Sequence, residues 1–229
     1  MPAKNAIKEY EAGSCYHIYN RGVNKQSIFE DNKDFKVFLS YLEFYLNPQS
    51  NFDENDLRGL SSQVKVSPSK VLKNYFGEIT LFAYCLMPNH FHLMVKQNSD
   101  HGIDRFMRSL STKYVRYFNS RYQRIGPLFQ GPYKAVKIEN EYQFVYLSKY
   151  IHRNPLDLFA CEESPRRLED YKYSSYGNYL RQFSQSWVNT DEILELFSIY
   201  NSNSSYATFV KDGEPDDITL IAPLTIDVV

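Results

Sequence analysis

The sequence contains only three cysteines, and their spacing excludes the protein classes that depend on cysteine pairs. Cys15, Cys85 and Cys161 are odd in number and widely separated. A disulfide framework uses an even set of cysteines, and a zinc knuckle uses closely spaced pairs. We therefore expect reduced thiols in a cytoplasmic protein.

Long apolar runs are also missing. The chain has no apolar stretch of the roughly 18 residues that a membrane-spanning helix needs. Its first residues, MPAKNAIKEYEAG, are polar and charged, unlike a secretory signal peptide. We therefore expect no membrane partner. The hydrophobic fraction of 43% still supports a packed core in a chain of 229 residues.

An excess of positive charge is absent from the whole chain, whose net charge is −1, but the charge is unevenly distributed. Residues 105–138 contain eight basic and no acidic residues, whereas residues 211–229 contain five acids and one lysine. A local positive field favours phosphate binding. A solvated helix face is the alternative explanation. The candidate nucleic-acid-binding residues are Arg105, Arg108, Lys113, Arg116, Arg121, Arg124, Lys134 and Lys137, together with Arg21 at the end of the first predicted strand.

Aromatic residues are abundant, with 20 tyrosines and 16 phenylalanines. Five of them alternate with the basic residues, namely Tyr114, Tyr117, Tyr122, Phe129 and Tyr133. A groove of basic and aromatic side chains can follow a phosphate backbone and stack unpaired bases. The aromatic residues on the predicted helix itself are expected to lie mostly in the core.

The hydrophobic periodicity predicts an α+β fold. The predicted strands are 16–21, 79–86, 91–96 and 133–138, and the predicted helices are 34–46, 67–76, 103–122, 141–152, 192–200 and 204–211. This order indicates a layered sandwich with a mainly antiparallel sheet of four to five strands and a small helical C-terminal extension. We divide the chain into an N-terminal arm (1–15), a main domain (16–180) with a polar insert (47–78), and the extension with its acidic tail (181–229).

The stretch 81–95, LFAYCLMPNHFHLMV, consists of two apolar runs joined by a turn at Met87, Pro88 and Asn89. Residues two apart on a strand share a face, so His90 and His92 point the same way, while Phe91 points to a core. Two neutral imidazoles at one end of a strand are good ligands for a divalent metal.

Tyr150 and Asn154 are four residues apart and therefore share one face of the helix 141–152 and its end. If that face packs over the two histidines, three neutral ligands meet a phenol. This combination suits phosphoryl transfer, with Tyr150 as nucleophile and Mg²⁺ or Mn²⁺ bound by His90, His92 and Asn154. Tyr146 and Tyr114 are rival nucleophiles, and we expect structural roles for His17 and His152.

These motifs resemble those of single-tyrosine HUH transposases of the insertion-sequence type, above all their REP-associated relatives. The resemblance runs in family order over residues 16–180. Its motifs are YHIYNRG at 16–22, IFED at 28–31, CLMPNHFHLMV at 85–95, GPLFQG at 126–131, YIHRNP at 150–155 and YSSY at 173–176.

The resemblance implies a ferredoxin-like fold and cleavage of single-stranded DNA beside a hairpin, leaving a 5′-phosphotyrosine on Tyr150. By position, His90 and His92 match the metal ligands, and Asn154 matches the third ligand. A homodimer with shared sites and a monomer are both known arrangements of the family. Two other functions stay open: a domesticated hairpin-binding relative without transposition, and a phosphodiesterase that uses metal-activated water.

Overall fold

The computed structural model describes residues 10–48, 73–159 and 167–212. Its strands are β1 (Cys15–Arg21), β2 (Ile79–Met87), β3 (His90–Gln97) and β4 (Lys134–Lys137). Its helices are α1 (Asn32–Leu46), α2 (Gly102–Arg121), α3 (Glu141–Arg153), α4 (Leu156–Phe159), α5 (Tyr176–Tyr179), α6 (Asp191–Tyr200) and α7 (Tyr206–Lys211). The predicted elements that fall in these ranges are confirmed to within two residues at each end, whereas the predicted helix 67–76 lies mostly outside them.

The four strands form one sheet in the order β2-β3-β1-β4, and every neighbouring pair is antiparallel. Together with α1 and α2 they form the sequence β1-α1-β2-β3-α2-β4, which is the split βαβ arrangement of ferredoxin-like folds. The predicted α+β class, the antiparallel sheet and the ferredoxin-like order are therefore confirmed. β1 and β3 are the central strands, so both edges of each are hydrogen-bonded to a neighbouring strand.

The sheet separates two hydrophobic cores. On one face, α1 and α2 pack over side chains such as Ile18, Phe91 and Leu93. On the other face, α3 packs over Cys85 and Met94, together with the C-terminal helices. The alternation of β3 thus sends its odd-numbered residues to the first core and its even-numbered residues to the second.

The predicted C-terminal helical extension is present and contacts α3. Tyr206 of α7 lies within hydrogen-bond distance of Ser148 (2.8 Å) and of Nδ1 of His152 (2.9 Å), while Nε2 of His152 lies 2.8 Å from Ser175. Burial lowers the pKa of His152 to about 3, so this ring is neutral. His152 therefore joins α3 to the extension, in agreement with its expected structural role.

Cys15 and Cys85 are free thiols, as expected, and burial raises the pKa of Cys15 to about 11. Cys161 lies outside the described residues. No helix in the described part of the chain is both long and apolar enough to cross a membrane.

A buried carboxylate ties the start of α1 to α2. Asp34 is fully buried and accepts hydrogen bonds from the hydroxyls of Tyr117 and Tyr122, both at 2.8 Å. It also forms a 2.6 Å ion pair with Arg121 and accepts a 2.9 Å bond from the backbone amide of Glu30. A buried charge is stable only when it is paired and hydrogen-bonded in this way.

We expect Asp34→Asn to lower the free energy of unfolding by about 3 kcal/mol, because it removes one partner of a buried ion pair. Urea unfolding measures the loss. Asp31→Asn is the matched control. Asp31 also pairs with Arg121 but is exposed, and asparagine caps a helix as well as aspartate does. Asp31→Asn should lower the free energy of unfolding by less than about 1 kcal/mol. Equal losses in the two variants would contradict the conclusion that the burial of Asp34 makes its ion pair important.

Candidate active site

The turn between β2 and β3 is held by the loop that follows β1. The carbonyl of Pro88 accepts a 2.7 Å hydrogen bond from the amide of Ile28, and the carbonyl of Asn89 accepts a 2.8 Å bond from Gly22. Gly22 packs so closely that an added Cβ would lie 2.1 Å from the carbonyl oxygen of Gln26. Only glycine fits there, and the loop fixes the start of β3.

His90 and His92 project from β3 toward the α3 face, as predicted. Their ring centroids are 4.9 Å apart and their planes are almost perpendicular, at 89°. His92 is paired across the sheet with Tyr19 and Cys85. The ring of Tyr150 on α3 lies edge-on to His92, with centroids 5.6 Å apart. The structure therefore brings the two imidazoles and this phenol together.

Asn154 completes the group at the end of α3. Its Nδ2 donates a 3.2 Å hydrogen bond to the carbonyl of Tyr150, which directs Oδ1 toward β3. Oδ1 lies 3.1 Å from Nε2 of His90. Two adjacent ligands of an octahedral ion, each at about 2.1 Å from it, are separated by about 3.0 Å, so this spacing suits two ligands of one ion.

His92 is fully buried, and its Nδ1 lies 2.9 Å from Nε2 of His17 on β1. Burial is the main reason that the pKa of His92 lies well below its usual value, and the neighbouring His90 and His17 lower it further. A polar contact with Asn154 opposes the shift. The Nε2 atom is buried and has no hydrogen-bond partner of normal geometry among the described residues. A neutral ring with one unsatisfied nitrogen is a good metal ligand.

The residues present therefore fit a divalent cation. His90 Nδ1 lies 2.6 Å from the side-chain oxygen of Asn89, so a second residue orients this ring as well. The donors are two neutral imidazoles and one amide oxygen. The described residues contain no cluster of three or more His, Cys, Asp or Glu side chains that could bind a metal.

The two rival tyrosines lie in other surroundings. Tyr114 is fully buried on the opposite face of the sheet and donates a 2.5 Å hydrogen bond to the carbonyl of Ile28. Burial raises its pKa, which makes it a poor nucleophile. Tyr146 lies one turn before Tyr150 and packs edge-on against Phe209 of α7. Neither position matches that of Tyr150 beside His92.

Comparison with known proteins gives one family match. Residues 59–154 match the family model described as "Transposase IS200 like", which covers less than half of the chain but includes both histidines, Tyr150 and Asn154. This part of the chain is therefore similar to IS200-like transposases. The predicted resemblance to insertion-sequence transposases is confirmed. No curated protein matches the chain.

Two solved structures resemble the chain. One is a REP-associated tyrosine transposase bound to a REP hairpin, with 11% identity and a TM-score of 0.45; the match covers 81% of this chain and 92% of that protein. The other is a candidate transposase from Deinococcus radiodurans, with 16% identity and a TM-score of 0.33; the match covers 66% of this chain and 97% of that protein.

Three of the basic residues within the matched segment form ion pairs with acids, and Lys113 is partly buried over aromatic rings. Arg105 pairs with Glu78, Arg121 with Asp31 and Asp34, and Lys137 with Glu11. Lys113 lies over the rings of Tyr41, Phe44 and Tyr45, and burial lowers its pKa to about 8. Acids from other parts of the chain therefore neutralise part of the charge of 105–138, and the assignment of its basic residues to DNA binding stays a prediction.

The other basic residues divide between the two faces of the sheet. Arg108 and Arg116 are exposed on α2, on the face opposite to Tyr150, and Arg124 follows α2 with its guanidinium 5.5 Å from the ring of Phe118. Arg21 is the cross-strand partner of His90, and its Nε donates to Gln130. Lys134 is the partner of Tyr19, on the same face as His92.

Three of the five aromatic residues proposed for a groove are buried, and for the two on the helix this confirms the expectation that its aromatic side chains lie mostly in the core. Tyr114, Tyr117 and Phe129 are buried in the core, where they cannot stack on bases. Tyr122 donates its hydroxyl to Asp34, and Tyr133 donates to Asp104. The spacing that suggested a groove is instead the apolar periodicity of α2 and of the loop that follows it.

Sequence reasoning missed the contact of His17 with His92. A period of two along β1 places His17 and Tyr19 on one face, which could have indicated the correct face. It could not have indicated His92 as the partner, because the pairing of β1 with β3 depends on the sheet order.

We expect Asn154→Leu to weaken Mn²⁺ binding at least about tenfold, because the amide oxygen is lost while the volume is kept. Titration followed by electron paramagnetic resonance measures the affinity without DNA. Asn47→Leu is the control, since Asn47 is a similarly buried amide at the end of α1. Unchanged affinity in Asn154→Leu would remove Asn154 from the ligand set.

Proposed function

We propose that the protein is a metal-dependent transposase that cleaves single-stranded DNA beside hairpins and rejoins it through a 5′-phosphotyrosine. The observation that carries the proposal is the position of α3. This one helix brings the ring of Tyr150 to 5.6 Å from His92 and the amide oxygen of Asn154 to 3.1 Å from His90. A nucleophile and a metal-binding set in one place are what phosphodiester transfer needs.

In this mechanism the hydroxyl oxygen of Tyr150 attacks the scissile phosphorus. A bond forms between this oxygen and phosphorus while the bond from phosphorus to the 3′ oxygen breaks. The phenol loses its proton to solvent, and the departing 3′ oxygen takes up a proton. Rejoining reverses these steps, because a 3′ hydroxyl attacks the phosphotyrosine and the phenol is regenerated. The phosphodiester energy is therefore conserved on the enzyme.

His90, His92 and Asn154 would hold a divalent ion of the Mg²⁺ or Mn²⁺ type. When bound, such an ion supplies polarisation of a phosphate oxygen and stabilises the negative charge of the transition state. A phenol has a pKa near 10 and is a weak nucleophile when protonated, so this help is needed. Arg21 and Lys134 lie on the same face of the sheet and add positive charge there.

We expect Tyr150→Phe to abolish a covalent protein–DNA adduct. The substrate is end-labelled single-stranded DNA that carries a hairpin, incubated with Mn²⁺ and then denatured. Tyr146→Phe is the matched control, since it removes a hydroxyl one turn away on the same helix, and its adduct should remain. An adduct that persists in Tyr150→Phe would overturn the assignment of the nucleophile.

The same experiment separates the two alternative functions. A phosphodiesterase that uses activated water would give cleaved DNA without an adduct, and Tyr150→Phe would stay active. A domesticated hairpin-binding protein would bind the DNA without cleaving it. Either result in the wild-type protein would refute strand transfer by Tyr150.

We expect Lys134→Gln to weaken binding of single-stranded DNA several-fold, because Lys134 lies on the same face of the sheet as His92. The slope of log affinity against log salt should fall by about one unit, corresponding to one lost phosphate contact. Arg116→Gln, which removes an exposed charge on the opposite face, should change both quantities less. Fluorescence anisotropy over a salt series measures them, and the reverse ranking would place the DNA on α2.

A further inference from the structure

We propose that His17 is a positioning residue that prepares His92 to bind the metal. In this arrangement Nε2 of His17 accepts the Nδ1 proton of His92, so that Nε2 of His92 presents a lone pair to the ion. The inference deepens the proposed function, because it rests on His92 being a metal ligand. It assigns to β1, which lies outside the matched transposase segment, a direct part in the site.

The sheet fixes the geometry of this pair. His17 lies on β1 opposite Met94 of β3, one position diagonal to His92, and therefore on the same face. The two nitrogens are 2.9 Å apart, and the ring planes are within 18° of each other with centroids 5.0 Å apart, as an in-plane N–H···N bond requires. Both residues are fully buried. Rotation of either ring would break this hydrogen bond and leave a buried ring nitrogen without it.

The direction of the hydrogen bond follows from the second nitrogen of His92. If His17 were the donor, a neutral His92 would carry its proton on Nε2. That atom is buried, and its contact with the Asn154 side chain does not have the geometry of a hydrogen bond. A buried N–H without a well-formed hydrogen bond costs about 1–3 kcal/mol. With His92 as donor, the unsatisfied atom is instead a lone pair, which a cation can satisfy.

The partner of a ligating histidine fixes its tautomer and its orientation, and losing that partner typically costs about 10–100-fold in metal affinity. His17→Phe keeps a flat ring in the core but cannot accept a proton. We expect it to weaken Mn²⁺ binding by about 10–100-fold. His17→Gln retains an acceptor near the position of Nε2 and should restore most of the affinity. His152→Gln, which changes another fully buried histidine, should leave the affinity unchanged.

A second measurement needs neither metal nor DNA. Long-range ¹H–¹⁵N NMR of the metal-free protein shows which ring nitrogen carries the proton. We expect His92 to be protonated at Nδ1 in the wild type and in His17→Gln, and to shift toward Nε2 protonation in His17→Phe. Protonation of His92 at Nε2 in the wild type would overturn the inference, and so would wild-type Mn²⁺ affinity in His17→Phe.

These outcomes are independent of strand transfer. Failure of the Tyr150 adduct experiment would refute the nucleophile but would not alter the tautomer of His92 or the effect of His17 on Mn²⁺ affinity. If His17→Phe does not fold, as judged by circular dichroism, the wild-type tautomer and the His17→Gln affinity still decide the question. A wild-type protein that binds no Mn²⁺ would refute both the metal site and this role of His17.

Discussion

The site depends on the alternation of side chains along β3. Because helices pack on both faces of the sheet, the two faces of β3 belong to two different cores, and a shift of one residue would exchange them. Phe91 and Leu93 are anchored in the core beneath α1 and α2. Because side chains alternate along a strand, the burial of Phe91 and Leu93 directs His90 and His92 to the opposite face, toward α3. The fold thus specifies the direction of the imidazoles through residues that take no part in the chemistry.

The second element of the site is a helix end. Within α3 each carbonyl is used by the amide four residues later, but the helix ends at Arg153 and the Tyr150 carbonyl accepts from the side chain of Asn154. The side-chain oxygen of Asn154 then points toward His90 on β3. The residue that ends the helix is thereby a candidate metal ligand one turn from Tyr150, the proposed nucleophile. Pro155 follows directly and has no backbone N–H with which to continue the hydrogen bonds of the helix, while Asn154 itself still has helical dihedral angles.

The parts of the fold and site that follow from local pattern were predictable from the sequence. The strands and helices, the shared face of His90 and His92, and the shared face of Tyr150 and Asn154 all depend on periods of 2 or 3.6 residues. What could not be predicted depends on contacts between distant segments. The acids that neutralise Arg105, Arg121 and Lys137 come from outside the basic segment, and His17 reaches His92 only because β1 pairs with β3.

Besides its basic residues, the helix α2 contributes buried polar side chains that reach the site through hydrogen bonds. Its Tyr114 donates a hydrogen bond to the carbonyl of Ile28, whose amide in turn donates to the carbonyl of Pro88. Asp34, which is held by two side chains of α2 and by Tyr122 just after it, accepts a hydrogen bond from the amide of Glu30 and so fixes that residue. These bonds form a continuous path from α2 through the loop after β1 to the turn that begins β3. On this path the buried polar residues of α2 support the position of His90 from the opposite face of the sheet.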